Sequence, residues 1–206
     1  MSSYKTVKYE SSDEFIEKKS RFIGYVKPVK TQQEALDFIS QIKSKHWDAT
    51  HNVYAYALRE GGIRRFSDDG EPQGTAGIPS LDVLIKQEVT DCCVVVTRYF
   101  GGIMLGAGGL VRAYSHGAKI ALDAGQVITM SLCQIVKVKT DYTFYGRLVP
   151  LICECGGIVE DTNFTDSVEV TFKIPQDKLS GFNSKLTDAS SGKIFSQVID
   201  EKYCEI

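Results

Sequence analysis

The stretch Cys92-Cys-Val-Val-Val-Thr97, with the glycines that follow it, constrains the fold more than any other. It is a short, nearly continuous apolar run that ends in Arg98-Tyr-Phe and then Gly101-Gly-Ile-Met-Leu-Gly-Ala-Gly-Gly109. A strand without polar alternation is one buried on both faces, so other elements must cover it from above and below. A helix follows with Leu110, Tyr114, Ala118 and Leu122 on one stripe and Gly125 as its C-cap.

Elements able to supply that cover precede the run. Arg21-Phe-Ile-Gly-Tyr-Val-Lys-Pro28 reads as a strand. Thr31-Gln-Gln-Glu34 is a capping box that opens a helix running to about Lys45, with Ala35, Ile39 and Ile42 on one face. His51-Asn-Val-Tyr-Ala-Tyr-Ala-Leu58 is rich in β formers, and Glu60-Gly-Gly-Ile63 is a turn. Residues Arg65 to Gly77 read as a long loop on their Gly, Pro and Asp content. The pattern predicts a helix after it with Ile78, Leu81, Leu84 and Ile85 on one side and Pro79 in its first turn.

The second half has another character. Ile135–Tyr142 alternates like a half-exposed strand, and residues 143–154 read as a helix that includes Pro150. Gly156–Glu160 and Val168–Ile174 read as strands, Gln176–Ala189 as a helix and Lys193–Ile199 as a last strand. The order β-α-β-β-α-β is the ferredoxin-like split βαβ unit. The expected class is therefore α+β in two domains, residues 1–130 and 131–206, with the change of character near 126–133.

Composition narrows the function classes. With 43% hydrophobic and 24% charged residues and a net charge of −2, the chain is an ordinary globular one and no general polyanion binder. No apolar run of about 18 residues and no signal-peptide core is present, so no membrane association and a cytoplasmic location are expected. Cys92, Cys93, Cys133, Cys153, Cys155 and Cys204 form no Cys-x-x-Cys pair, which predicts no disulfides. His46, His51 and His116 have no cysteine at zinc-finger spacing, so zinc is not expected; no resident metal and no cofactor is the leading expectation.

Two segments carry candidate chemistry. The glycine loop lets the backbone approach a ligand closely, and the helix start behind it offers free N–H groups. Gly101, Gly102, Gly106, Gly108 and Gly109, flanked by Arg98 and Arg112, could hold a phosphate, a carboxylate or an RNA backbone. The competing interpretation is a tight strand-to-helix turn. Asp68, Asp69 and Glu71 could hold Mg²⁺, act as acid and base, or meet a basic partner; a solvated turn with Asx caps is the alternative. Arg64 and Arg65 could pair with these carboxylates, and Thr75 lies in the same loop. His51 is expected to hydrogen-bond at a strand end, and His116 to lie on the surface. Trp47, Tyr99 and Phe100 are expected in the core or at its rim, where stacking on single-stranded bases is an option.

These segments together resemble the YigZ/IMPACT family. The likeness rests on Ala49-Thr-His51-Asn-Val-Tyr-Ala-Tyr56, Ser67-Asp-Asp-Gly-Glu-Pro-Gln-Gly-Thr-Ala-Gly77, Thr97-Arg-Tyr-Phe-Gly-Gly102 and Leu105-Gly-Ala-Gly-Gly-Leu-Val-Arg-Ala-Tyr114. It covers about residues 18 to 125, and the second half is similar to bacterial two-domain members in length and pattern. The resemblance implies an N-terminal βαβ domain like one in a small-subunit ribosomal protein, elongation factor G and galactokinase-group enzymes. It also implies a C-terminal domain like the last one of elongation factor G. Eukaryotic members regulate translation by competing for the activator of an initiation-factor kinase. The chain begins almost directly at the shared block, so no RWD domain and no regulation of that kinase are expected.

Three readings follow. In the first, the protein is a non-enzymatic, translation-associated one that binds RNA, the ribosome or a protein of that machinery through both loops. The second is an enzyme on a phosphorylated or other anionic small molecule, although galactokinase-like enzymes carry Ser where Gly108-Gly109 stand here. In the third, the acidic loop is a protein-recognition surface. The first is the leading expectation.

Overall fold

A computed structural model of the chain describes residues 3–205. Packing divides it into a unit of residues 4–129 and a unit made mainly of residues 130–205.

In the first unit, strands β1 (Ser3–Val7), β2 (Ser11–Glu17) and β3 (Ser20–Pro28) precede helix α1 (Gln32–Lys45). Then come β4 (His51–Ala57), β5 (Arg64–Ser67), α2 (Gly77–Lys86), β6 (Cys92–Tyr99) and α3 (Ala107–Ala124). The main sheet has the order β2-β3-β6-β4-β5, and all neighbours are antiparallel. The β3–α1–β4 unit is the expected βαβ, with β6 inserted between its strands. β6 is thus central, which is why it is apolar from Cys92 to Val96. Cys92, Val94 and Val96 face the core under α2 and α3, whereas Cys93 and Val95 face α1. Burial pushes the Cys92 thiol up to about 12, so it packs as a small hydrophobe.

Thr31 caps α1 by accepting from the Glu34 N–H (3.2 Å), while Glu34 accepts from the Lys30 N–H (2.7 Å). Ala35, Phe38, Ile39 and Ile42 form its buried face. α3 lies very close to the sheet. A Cβ on Gly24 would sit 2.2 Å from the Gly117 carbonyl oxygen, so only glycine fits there. Leu110, Tyr114, Ala118 and Leu122 make the buried stripe of α3.

Several boundaries differ from expectation. Residues 65–67, expected as the start of the loop, belong to the edge strand β5, because Arg65 pairs with Tyr56 across the ladder. In α2, Leu81 and Leu84 are buried as expected, with Pro79 and Ser80, but Ile78 and Ile85 are 42% and 39% exposed. β1 and β2 have no counterpart in the sequence reading.

The second unit runs β7 (Val127–Thr140), α4 (Tyr142–Glu154), β8 (Ile158–Phe164), β9 (Val168–Pro175), α5 (Leu179–Ser190) and β10 (Ser196–Glu205). β7 starts earlier than expected and ends before Tyr142, which opens α4 instead. β8 and β10 lie further along the chain than expected. β10 pairs with β7, β7 with β9 and β9 with β8, all antiparallel. That is the ferredoxin-like order, with the last strand beside the first. Val168, Val170, Phe172 and Ile174 alternate inward against Leu148, Ile152, Phe182 and Leu186.

All six cysteines are free thiols, and only Cys153 is exposed. No helix among the described residues is long and apolar enough to cross a membrane. Among the described residues no group of three or more His, Cys, Asp or Glu side chains is gathered to hold a metal ion.

Candidate functional site

The acidic loop is tied to its own framework. Asp68 accepts from the backbone N–H groups of Gly74 (2.9 Å), Ala76 (3.1 Å) and Gly77 (2.7 Å), capping α2. Burial raises the Asp68 carboxyl, but these three amides outweigh it and hold it below the usual range. Asp69, with a left-handed φ of 46°, accepts from Lys43 Nζ and from the Asn52 N–H, each at 2.6 Å. Thr75 Oγ1 donates to the Pro72 carbonyl at 2.6 Å.

Glu71 turns inward and is only 7% exposed. Its Oε1 accepts from Arg98 Nη1 (2.6 Å) and from the Tyr114 hydroxyl (2.7 Å). His51 Nε2 lies 3.7 Å from the same oxygen. His51 Nδ1 donates to the Asp69 carbonyl at 2.8 Å, a strand-end bond like the one expected. Burial, and then the Glu71 carboxylate, push the Tyr114 phenol far above its ordinary value, so it stays a donor. The guanidinium carbon of Arg98 lies 5.4 Å from the ring centres of both Phe22 and Phe100, within cation–π range.

The two arginines expected to act together are therefore apart. Arg98 is buried against Glu71. Arg112 is exposed and precedes Tyr114 by two positions on α3, about 200° around the helix. It lines a different groove of about 430 Å³ with Lys18, Phe15, Leu105, Gly109 and His116. His116 is exposed, as expected, and its ring packs edge-on against Phe15. Arg65 lies on the exposed edge strand β5, its Nη1 donating to the Arg64 carbonyl at 2.9 Å.

The glycine loop divides into a sealed part and an open part. The amides just after Arg98, expected to face an anion, are taken: Phe100 N–H donates to Thr50 Oγ1 (3.0 Å) and Gly101 N–H to Ser20 Oγ (3.2 Å). Gly101 is a packing requirement, since a Cβ there would lie 2.0 Å from the backbone of Lys19. Gly102 and Gly106 take φ of 83° and 71°. Gly106 starts α3 and no side chain caps that start. The first-turn N–H groups of Ala107, Gly108 and Gly109 make no hydrogen bond among the described residues, so the helix start keeps its positive pole toward solvent.

Three further features lie at this end of the sheet. Lys18 and Lys19 form a two-residue hairpin connection between Glu17 and Ser20, both left-handed with φ of 45° and 65°. Such a turn prefers Asn-Gly. Phe15 and Ile16 are adjacent rather than alternating, so the residue pattern of β2 does not signal it. Trp47 is 84% exposed, well outside the core, and Phe100 is 48% exposed. Their connections are stitched together by the Phe100–Thr50 bond and by Thr50 N–H to the Arg98 carbonyl, 2.9 Å. Beneath them runs a hydrogen-bonded chain. Tyr99 donates to Asp48 (3.1 Å), and so accepts from His46 Nδ1 (2.8 Å), which leaves His46 Nε2 to accept from Tyr25 (2.6 Å). Burial, and then Lys45 and Arg21, lower the His46 pKa.

Comparison with known proteins covers both units. The family model described as the Impact N-terminal domain matches residues 18–122, and one described as a domain of unknown function, DUF1949, matches residues 138–193. The chain is 41% identical over 192 residues to the IMPACT family member YvyE of Bacillus subtilis (strain 168), covering 93% of this chain and 88% of that one. It is 34% identical over 189 residues to the IMPACT family member YigZ of Escherichia coli (strain K12), covering 89% and 92%. A crystal structure described as that of a hypothetical protein is similar with a TM-score of 0.61 at 31% identity, covering 98% of this chain and all of the other.

Proposed function

Because the chain belongs to the IMPACT family, we propose that it is a translation-associated binding protein whose N-terminal unit engages single-stranded RNA. The exposed rings of Trp47 and Phe100, on two connections hydrogen-bonded to each other, carry this proposal. Stacking on aromatic faces needs no particular base and contributes about 1–3 kcal/mol per base. The uncapped start of α3 accepts a phosphate, and Lys18, Lys19 and Arg112 supply cations around it. With a net charge of −2, such contacts are local rather than spread over the surface. The enzyme reading needs carboxylates turned toward a substrate. Asp68, Asp69 and Glu71 are instead engaged by amides, Lys43 and Arg98.

Trp47 is the chain's single tryptophan, so its emission tests the proposal directly. Titration with short oligouridylate at low salt quenches that emission. The affinity falls with salt at a slope of about 0.7 per phosphate contacted. A folded protein that shows neither quenching nor RNA retention on filters at low salt overturns the proposal.

A further inference from the structure

The C-terminal unit contains a cavity of about 470 Å³ where β7 leads into α4, within the usual size range for small-ligand sites. Its floor is buried: Thr140 is 6% exposed and Ser190 8%. Thr140 Oγ1 has no hydrogen-bond partner among the described residues. Thr140 continues the inward row of Val136 and Val138 on β7, where valine would fill the same space without a stranded hydroxyl. A buried polar group in that position is explained by something that hydrogen-bonds to it.

The rim of the cavity supplies the charges. Lys139, Lys193, Asp141 and Asp166 all line it and are exposed. Glu169, opposite Lys139 in the ladder, pairs with Lys137 instead. Neither Lys139 nor Lys193 makes an ion pair among the described residues. One Asp141 oxygen caps α4 by accepting from the Phe144 N–H at 2.7 Å. Two ammonium groups and two carboxylates leave the rim with no net charge. A phosphate dianion would meet both carboxylates, whereas a small zwitterion finds an opposite charge for each of its ends. Phe144 and Ile194 add an apolar wall.

We propose that this cavity binds a free α-amino acid, its carboxylate held by Lys193 and the Thr140 hydroxyl, its ammonium by Asp166 and its side chain by Phe144 and Ile194. The site is independent of the RNA surface, and neither proposal depends on the other.

The test uses the full chain. Each standard α-amino acid is added at about 10 mM, with sodium phosphate and sodium acetate as comparison ligands, in thermal-shift and amide NMR measurements. One or a few amino acids raise Tm in a saturable way and move the amide resonances of residues 139–141, 166–167 and 190–194. Thr140→Val separates ligand binding from a structural role. Its ligand-free Tm stays level or rises, because the stranded hydroxyl is gone, while its amino-acid affinity falls about tenfold. Lys193→Met, on the exposed rim, leaves the ligand-free Tm unchanged and weakens binding similarly. The proposal is overturned by a screen in which no amino acid binds, by equal responses to phosphate or acetate, by resonance shifts confined to other residues, or by unchanged binding in Thr140→Val.

Discussion

Individual side chains here act mostly through partners distant in the chain. Arg98 and Glu71 are legible as charges, but no spacing tells that they meet in the interior, 27 residues apart. The sequence suggests Arg98 as an outward anion ligand, because strand ends before glycine loops often serve that way. The long side chain instead folds back beneath Phe100 to a carboxylate that the loop delivers inward. Asp68 was legible as a turn residue, but its three amide bonds reach six to nine residues along the chain and close the loop onto the start of α2 rather than forming a local Asx turn. His46 makes stability depend on pH. Its folded pKa lies below its unfolded value, so the unfolded chain takes up a proton first as pH falls. Stability is therefore full above the ordinary histidine value of about 6.5 and declines below it, by about 1.4 kcal/mol for each unit of depression. Urea midpoints between pH 7.5 and pH 5, measured at about half-unit steps, should decline for the parent and decline less steeply for His46→Gln. Equal slopes would show that His46 does not govern this range.

Among the elements, those the core demands were visible; of those at the edges, β8 and β10 were visible but displaced, and β2 and β5 were not visible. β6 could be read because both its faces are covered, and α1 and α3 because each buries a single stripe. β2, β5, β8 and β10 border solvent and carry mostly exposed residues, so little alternation marks them. Register shifts at Val159/Asp161 and Val198/Asp200 break even that trace and displaced the expected positions of β8 and β10. Ile78 and Ile85 misled because apolar residues spaced along a helix look like one face, whereas α2 turns Leu81 and Leu84 inward. The β2–β3 hairpin supports a prediction with two opposed readouts. Left-handed backbone costs non-glycine residues roughly 1–2 kcal/mol each. Replacing Lys18-Lys19 with Asn-Gly should stabilise the protein by about 1–2 kcal/mol in urea unfolding. The same change should weaken oligouridylate binding and reduce its salt slope by about one unit. A variant that gains stability and keeps the parental slope would remove the lysines from the RNA surface.

At the level of the whole chain, the order of elements in the second half was enough to suggest a ferredoxin-like unit, because short connections leave few arrangements for β-α-β-β-α-β. In the first half the insertion of β6 between β3 and β4 could not be read, since pairing across long connections leaves no local mark. Each unit has cores of its own, one pair flanking β6 and another between α4, α5 and their sheet. Calorimetry should accordingly record more heat than a single two-state transition allows, with the van't Hoff enthalpy below the calorimetric one. Equal enthalpies would mean that the cores melt as one.

Two adjacent thiols at the centre of the first unit have a practical consequence. Cys92 and Cys93 are neighbours in sequence, yet each is sealed by a different helical layer, while Cys153 stands open elsewhere in the chain. Pulsed alkylation followed by peptide mass mapping would thus time the detachment of either layer separately, with Cys153 setting the zero of the clock.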